Sequence, residues 1–414
     1  MTGLQVIADD VTGACDVGAE LASAGCLVHV AVSGDAGDEA LDGVQVVNTQ
    51  SRAVRASEAH ARVLRVTRRR PVDVLLKKID TALRGHLGAE LDAAIDGIGA
   101  TAAFLAPAIP AVGRVTRGGC QWFGGRLLAE TEFATDPEGV GAESSVAAVV
   151  ARESRRRTEI IALETLHGGR LGDRVRTLMG AGADLFVLDA ESDADLLAGV
   201  RCALDLPGPV CLAGSIGIAA GLAQTLDVPA RHQAPMPTSL PGPALIVSGS
   251  LHSVAAAQLD AVCSASGAER LVLARPDQAL SADTRAALLA KARGALAERR
   301  SVVLTASRPR HRPDIRDRRS VEHALADVAR DVLRLGLASA LVLVGGETTY
   351  AVLTAIGATD LVVHGRVAPL VTIGAISAGE AAGLPVVVKG GSGGDPDVVR
   401  ALLRHDDPTC RAAS

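Results

Sequence analysis

Aromatic residues and lysine are both scarce in this sequence. Of 414 residues, four are Phe, one is Trp and one is Tyr. The only lysines are Lys77, Lys78, Lys291 and Lys389, so arginine supplies nearly all of the 42 basic side chains. So few aromatics cannot furnish an array of base-stacking platforms, and a formal net charge of −5 gives no attractive field for a polyanion. Nucleic acid is therefore not an expected partner. No run approaches the ~18 unbroken apolar residues of a transmembrane helix. The opening MTGLQVIADD turns acidic by position 9, without the basic start and apolar stretch of a signal peptide. Neither membrane insertion nor secretion is expected. The seven cysteines (15, 26, 120, 202, 211, 263 and 410) are scattered and form no C-x-x-C pair. That excludes a zinc ribbon, argues against a disulfide framework, and makes the cytoplasm the expected location. Familiar phosphate and nucleophile motifs are missing too. No lysine precedes Ser or Thr, so there is no Walker A loop. Gly97-Ile-Gly99-Ala-Thr-Ala102 stands ahead of a strand, where a dinucleotide fingerprint does not belong. Gly214-Ser215-Ile216-Gly217 lacks the second half of a nucleophile elbow and reads as a strand-to-helix turn.

What the chain does hold is alternation. LQVIA (4–8), CLVHVAV (26–32), VQVVNT (44–49), VDVLLKK (72–78), TAAFLAP (101–107), DLFVLDA (184–190) and PVCLAG (209–214) read as strands. Ala/Leu-rich amphipathic stretches separate them, which predicts buried parallel strands in an α/β architecture. Residues 228–243 then hold five prolines and no apolar periodicity. Beyond them a second series runs through ALIVSGS (244–250), ERLVLA (269–274), SVVLTAS (301–307), ASALVLVGG (338–346), DLVVHG (360–365) and LPVVVKGG (384–391). The reading is two α/β domains with mainly parallel sheets, 1–230 and 244–414, joined by a linker at 231–243. The cleft between them is the expected ligand site. Two arginine-rich stretches, 152–157 and 308–319, read as solvated surface.

Polar clusters follow the strands repeatedly, at the end where open α/β sheets bind ligands. Asp9, Asp10 and Asp16 crowd the first strand–helix turn. One acidic residue there serves as a helix cap, but three within eight positions call for a cation or a substrate hydroxyl. Lys77-Lys78-Ile79-Asp80-Thr81-Ala82-Leu83-Arg84-Gly85 holds half of all the lysines and predicts an anion site for a small carboxylate or phosphate. A third segment, Ala106–Pro110 with Gly113-Arg114-Val115-Thr116, reads equally well as plain loop. Three glycine-bearing strand ends occur in the second domain. They are Ser248-Gly249-Ser250, Gly345-Gly346-Glu347-Thr348, and Lys389-Gly390-Gly391-Ser392-Gly393-Gly394. Together they predict a nucleotide phosphate site.

In order along the chain, IADDVTGACDVG, NTQSR (48–52), KKIDTALRG, APAIPAVGRVTRGG, ETEFATDP (130–137), VLDAESDADL (187–196), LAGSIGIA (212–219), VSGS, VGGETTYAVL and VKGGSGGD resemble the four-carbon acid sugar kinases, or tetronate kinases. The resemblance implies ATP-dependent phosphorylation of the terminal hydroxyl of threonate, erythronate or an oxo-tetronate, with Mg2+. It implies an N-terminal acid-sugar domain in which Asp9, Asp10, Asp16, Ser51, Arg52, Lys78, Asp80 and Arg84 line the site. It further implies a C-terminal domain whose Ser248, Gly249, Ser250, Gly345, Gly346, Glu347, Thr348, Lys389, Gly391 and Gly394 fall on the nucleotide motifs.

On this reading Arg52, Lys78 and Arg84 hold the sugar acid, and one of Asp9 and Asp10 accepts the hydroxyl proton. The other orients that hydroxyl or helps hold Mg2+, and domain closure excludes water. A homodimer is the commonest arrangement for such an enzyme. The chain departs from the family at two places. Gly393 stands where the last loop usually carries Phe. Gly365-Arg366-Val367-Ala368-Pro369-Leu370 replaces an acidic-Ile-x-Pro-Gly segment. These departures keep a second reading open, a non-catalytic sugar-acid or nucleotide sensor descended from such a kinase. A nucleotide-dependent oxidoreductase fits less well, because the first turn is Ala-Asp-Asp-Val-Thr-Gly where a glycine-rich turn is needed.

Overall fold

Short Val/Leu/Ile runs form the strands and the Ala-rich stretches between them form the helices. The computed structural model describes residues 3–34, 43–136, 139–226, 237, 239–273, 281–307 and 315–403. The chain divides into two compact units, Met1–Arg231 and His232–Ser414. Residues 231–236 and 238 of the expected linker lie outside the described residues, as do 308–314 of the second arginine-rich stretch.

In the first unit the strands are β1 (Leu4–Ala8), β2 (Val28–Ala31), β3 (Val44–Asn48), β4 (Val74–Lys78), β5 (Ala102–Ala106), β6 (Arg114–Arg117), β7 (Cys120–Phe123), β8 (Arg126–Leu127), β9 (Thr158–Ile161), β10 (Leu185–Leu188) and β11 (Val210–Gly214). Its main sheet runs β2-β3-β1-β4-β11-β5-β10-β9, and every recorded pairing is parallel. Strands β4, β5 and β11 are buried at every position, so they read as continuous apolar runs instead of alternating ones. The short strands β6, β7 and β8 form a separate antiparallel sheet that the sequence pattern did not announce.

The second unit contains β12 (Ala244–Ser248), β13 (Glu269–Leu273), β14 (Val302–Ala306), β15 (Ala340–Val344), β16 (Asp360–Ala368), β17 (Val371–Ile376) and β18 (Pro385–Lys389). Its order is β13-β14-β12-β15-β18-β17-β16, with β17 antiparallel to both of its neighbours.

Both units wind in the same way. The first strand leads out to one side, and the fourth returns on the other: β2-β3-β1-β4 in one, β13-β14-β12-β15 in the other. In the first unit the helix Val11–Ser23 packs on Ile216–Ala223, while Ala56–Thr67 packs on Leu87–Ile98. The two helix pairs cover opposite faces. Lys77 reaches Glu90 on Leu87–Ile98, whereas the next residue, Lys78, lies against Gly13 on Val11–Ser23. Such a reversal opens a crevice beyond the carboxyl ends of the two diverging strands. Those ends are Ala8 and Lys78 in one unit, Ser248 and Val344 in the other.

Candidate active site

The first crevice gathers the acidic and basic motifs. Asp10 caps the helix Val11–Ser23, its Oδ1 accepting from Gly13 N at 3.0 Å. Thr12 Oγ1 donates to Asp10 Oδ2 at 2.5 Å. Arg52 spans both aspartates: Nε donates to Asp9 Oδ2 at 2.7 Å, and the two terminal nitrogens donate to Asp10 Oδ2 and Oδ1 at 3.1 and 2.9 Å. Every oxygen of Asp10 is thereby used. Asp9 Oδ1, by contrast, is buried and accepts no hydrogen bond among the described residues. Burial alone would raise the Asp9 pKa, but Arg52, Lys77 and Lys78 outweigh it and hold the carboxyl below its ordinary value. Asp80 makes a two-pronged pair with Arg84, at 2.8 and 2.9 Å, and Arg84 extends to Asp136 Oδ2 at 3.4 Å. Burial opposes ionisation of Asp80 as well, yet Arg84 and Arg52 hold it well below the ordinary range.

Lys78 behaves differently from the two arginines. The residue is 4% exposed, and its ammonium donates to Ile79 O at 2.7 Å and makes no ion pair among the described residues. A Cβ on Gly13 would stand 2.9 Å from Lys78 Nζ, so glycine is what lets the helix start approach this cation. Ser51 is fully buried, shares a 2.7 Å hydroxyl contact with Thr49 and donates its N–H to Asp9 O. Asp16 lies buried on the same helix as Thr12. Gln50 and Leu83 sit at φ 46 and 59, so the turns flanking the crevice are held in the left-handed region.

The second crevice gathers the glycine loops. Gly249 N donates to Thr348 Oγ1 at 3.0 Å, and Gly345 N donates to Lys389 O at 2.9 Å. A Cβ on Gly391 would collide with Ser250 Oγ. Three loops far apart in sequence thus meet over adjacent strands β12, β15 and β18. Gly345 at φ 103 and Gly394 at φ 75 require the freedom of glycine. Gly346 and Glu347 open the helix Gly346–Ala355, so its first-turn amides begin directly after β15. Ser248 Oγ is buried without a hydrogen-bond partner. Lys389 is fully buried and its Nζ donates to Gly390 O at 2.8 Å, so it braces the loop from beneath.

Residues 4–222 match the sugar-binding N-terminal domain family, and residues 245–399 match the nucleotide-binding C-terminal domain family. A D-threonate kinase of Bordetella bronchiseptica is 34% identical, with 95% of each chain covered. The chain belongs to the four-carbon acid sugar kinase family. A D-threonate kinase of Salmonella typhimurium is 29% identical, covering 98% of this chain and 99% of the relative. Other relatives are named D-erythronate kinase and 3-oxo-tetronate kinase. A solved structure from Salmonella typhimurium LT2 shares the fold with a TM-score of 0.80, at 22% identity, over 98% of this chain and 100% of that one.

Within this tetronate-kinase chain the structure separates residues that the motifs had joined. Lys77 and Lys78 are adjacent in sequence but point to opposite faces. Lys77 is fully buried and pairs with Glu90 Oε2 at 2.5 Å, which makes it a support beneath the crevice and not part of an anion site. Arg114 belongs to the first crevice, although its segment reads equally well as loop. Its guanidinium donates to Thr81 Oγ1 at 2.5 Å and lies 4.6 Å from the Phe123 ring centroid. Phe123 and Phe133 meet edge-on at 5.2 Å, so half of the four Phe residues stand against this arginine. Burial lowers the Arg114 pKa. Gln258 carries no local signal at all. From the helix Ser253–Ser266 its buried Nε2 donates to Gly393 O, Gly394 O and Asp395 O at 3.0, 3.2 and 2.8 Å.

Proposed function

We propose that this protein transfers the γ-phosphoryl group of ATP to the terminal hydroxyl of a four-carbon acid sugar. The observation that carries the reading is the pairing of a buried carboxylate oxygen free to accept a proton with a buried ammonium that makes no ion pair among the described residues. Both lie at one topological switch point, and a glycine cradle lies at the other.

Asp9 Oδ1 is the proton acceptor. Asp10 cannot take that role without giving up a cap bond or an arginine bond, so it orients Arg52 and the helix start instead. Asp9 is a weak base, held low by three cations. That suits phosphoryl transfer, in which alignment and charge neutralisation matter more than basicity. Arg52 and Arg84 are each fixed by aspartates and present their remaining N–H groups in defined directions. Lys78 supplies the positive charge for the substrate anion. In the second unit the backbone amides after β12, β15 and β18 cradle the nucleotide phosphates, and the buried Ser248 hydroxyl offers one further donor.

No group of three or more His, Cys, Asp or Glu suited to a metal occurs among the described residues. That fits Mg2+ carried chiefly on phosphate oxygens and water, where it would neutralise developing charge. A coupled assay of ADP release across D-threonate, D-erythronate and 3-oxo-tetronate tests the proposal. Turnover with at least one is the expected result. Binding of a sugar acid without ADP release would support the sensor reading instead.

A further inference from the structure

Ser215 is a buried hydroxyl that the proposed chemistry leaves unused. It follows β11 and is the first residue ahead of the helix Ile216–Ala223. It stands where a cap belongs, yet its side chain makes no cap hydrogen bond. The residue is 1% exposed, and its Oγ has no hydrogen-bond partner. An orphaned buried hydroxyl is a net cost to folding, and a helix start turns unpaired amides and a positive dipole end outward.

The surroundings supply a matching charge. Gly214 pairs in register with Lys78 across β11 and β4, and Ile79 N donates to Gly214 O at 2.8 Å. Ser215 therefore follows directly on the strand neighbour of Lys78, whose ammonium makes no ion pair among the described residues. Lys78 leans to the face covered by Val11–Ser23, and Ile216–Ala223 packs on that same helix. A serine hydroxyl, a helix start and a lone ammonium are all donors or positive ends. They share one preference, an anion with at least two oxygens.

We infer that Lys78, Ser215 and the first amides of Ile216–Ala223 form the subsite for the substrate carboxylate. The inference rests on the proposed kinase reading and deepens it. Strand order β1-β4-β11 places Asp9 and Ser215 on either side of Lys78, about 10 Å apart at two strand spacings of ~4.8 Å. A four-carbon acid spans roughly 6 Å from carboxylate to terminal oxygen with C–C bonds of about 1.5 Å. Hydrogen bonds at both ends fill the remainder. The terminal hydroxyl then meets Asp9 Oδ1 while the carboxylate is held at the opposite side of the crevice.

Ser215→Ala in the full-length protein tests this assignment. The expected result is a KM for the tetronate raised about tenfold, with the KM for ATP unchanged. Preference for the tetronate over its neutral tetritol in kcat/KM should shrink by the same factor. Without substrate, the melting temperature of Ser215→Ala should equal or exceed that of the parent, because the variant removes an unpaired buried hydroxyl. Lys78→Gln should lower the tetronate-over-tetritol preference further. An active parent whose Ser215→Ala variant keeps both its tetronate KM and its acid-over-alcohol preference would overturn the subsite while sparing the kinase reading. A fall in melting temperature with the preference unchanged would assign Ser215 a structural role and overturn it equally. A parent that neither binds nor phosphorylates any tetronate would overturn both.

Discussion

At the scale of single residues, the two adjacent aspartates after β1 separate cleanly. Asp9→Asn should lower kcat by about a hundredfold or more with little change in KM, because the variant removes the acceptor without removing a cation. Asp10→Ala should act through stability. It loses a helix cap of about 1 kcal/mol and leaves half-buried Arg52 short of two hydrogen bonds, so both melting temperature and sugar-acid affinity should fall. The acid side of the pH profile follows from the sign of the shifts. Asp9 and Asp80 are both held below the ordinary aspartate value. Their contribution to stability is therefore complete above about pH 4 and is lost only as pH falls through the lowered values. Turnover should show no ionisation of Asp9 between about pH 5 and 8, which a kcat–pH profile of the parent checks directly.

At the scale of elements, the two departures from the family pattern prove to be one feature. Leu370 turns between β16 and β17 at φ 62, a backbone region that favours glycine. Gly393 is buried, and a Cβ there would stand 2.9 Å from both Leu370 Cβ and Leu370 O. The bulky residue that the last glycine loop lacks is thus supplied from the neighbouring turn, at a backbone cost of about 1–2 kcal/mol for a left-handed leucine. Gly393→Phe alone should raise the KM for ATP and lower the melting temperature. Combined with Leu370→Gly it should recover much of both, and a double-mutant cycle measures the coupling.

A second element-scale contact ties the turn after Arg84 to the turn after Arg52. His86 meets Glu153 Oε1 at 2.8 Å and Val54 O at 2.6 Å. Burial pulls the His86 pKa down, but those two partners outweigh it and raise the value. The stabilisation is complete below the unfolded value near 6.5 and lost as pH rises through the folded one. Glu153→Gln should therefore lower the His86 pKa, read by NMR titration. Its deficit in stability should be largest in mild acid and shrink in mild alkali.

At the scale of the whole molecule, two units repeat one winding, and each places its polar residues at its own reversal of strand order. Separate crevices predict separable defects. Gly345→Ala, strained at φ 103, should raise the KM for ATP and leave sugar-acid binding measured without nucleotide unchanged. Replacing Lys78 should do the reverse. Isothermal titration of each variant with sugar acid and with ATP distinguishes the two.

The α/β class, the positions of most strands and the polar clusters at strand ends were legible in the sequence, because period, apolar runs and glycine placement are local properties. The strands β6, β7, β8, β9 and β17 were not. They are short or antiparallel pieces whose partners, not their composition, make them strands. The same limit governs the site. Sequence alone brought Asp9, Asp10, Lys78, Asp80 and Arg84 forward, since charges beside apolar strands are conspicuous anywhere, whereas Arg52 came forward only through the family resemblance. Only the tertiary structure shows which of them are already engaged by neighbours. Alternation along β4 sends Lys77 into a buried pair and leaves Lys78 without one, and the grip of Arg52 consumes Asp10 while sparing one oxygen of Asp9. Gln258 lay beyond sequence reasoning altogether, and Ser215 was legible only as part of a strand-to-helix turn. What distinguishes them is a partner 135 residues away in one case and a side-chain hydroxyl without a partner among the described residues in the other, and neither is a property of the nearby chain.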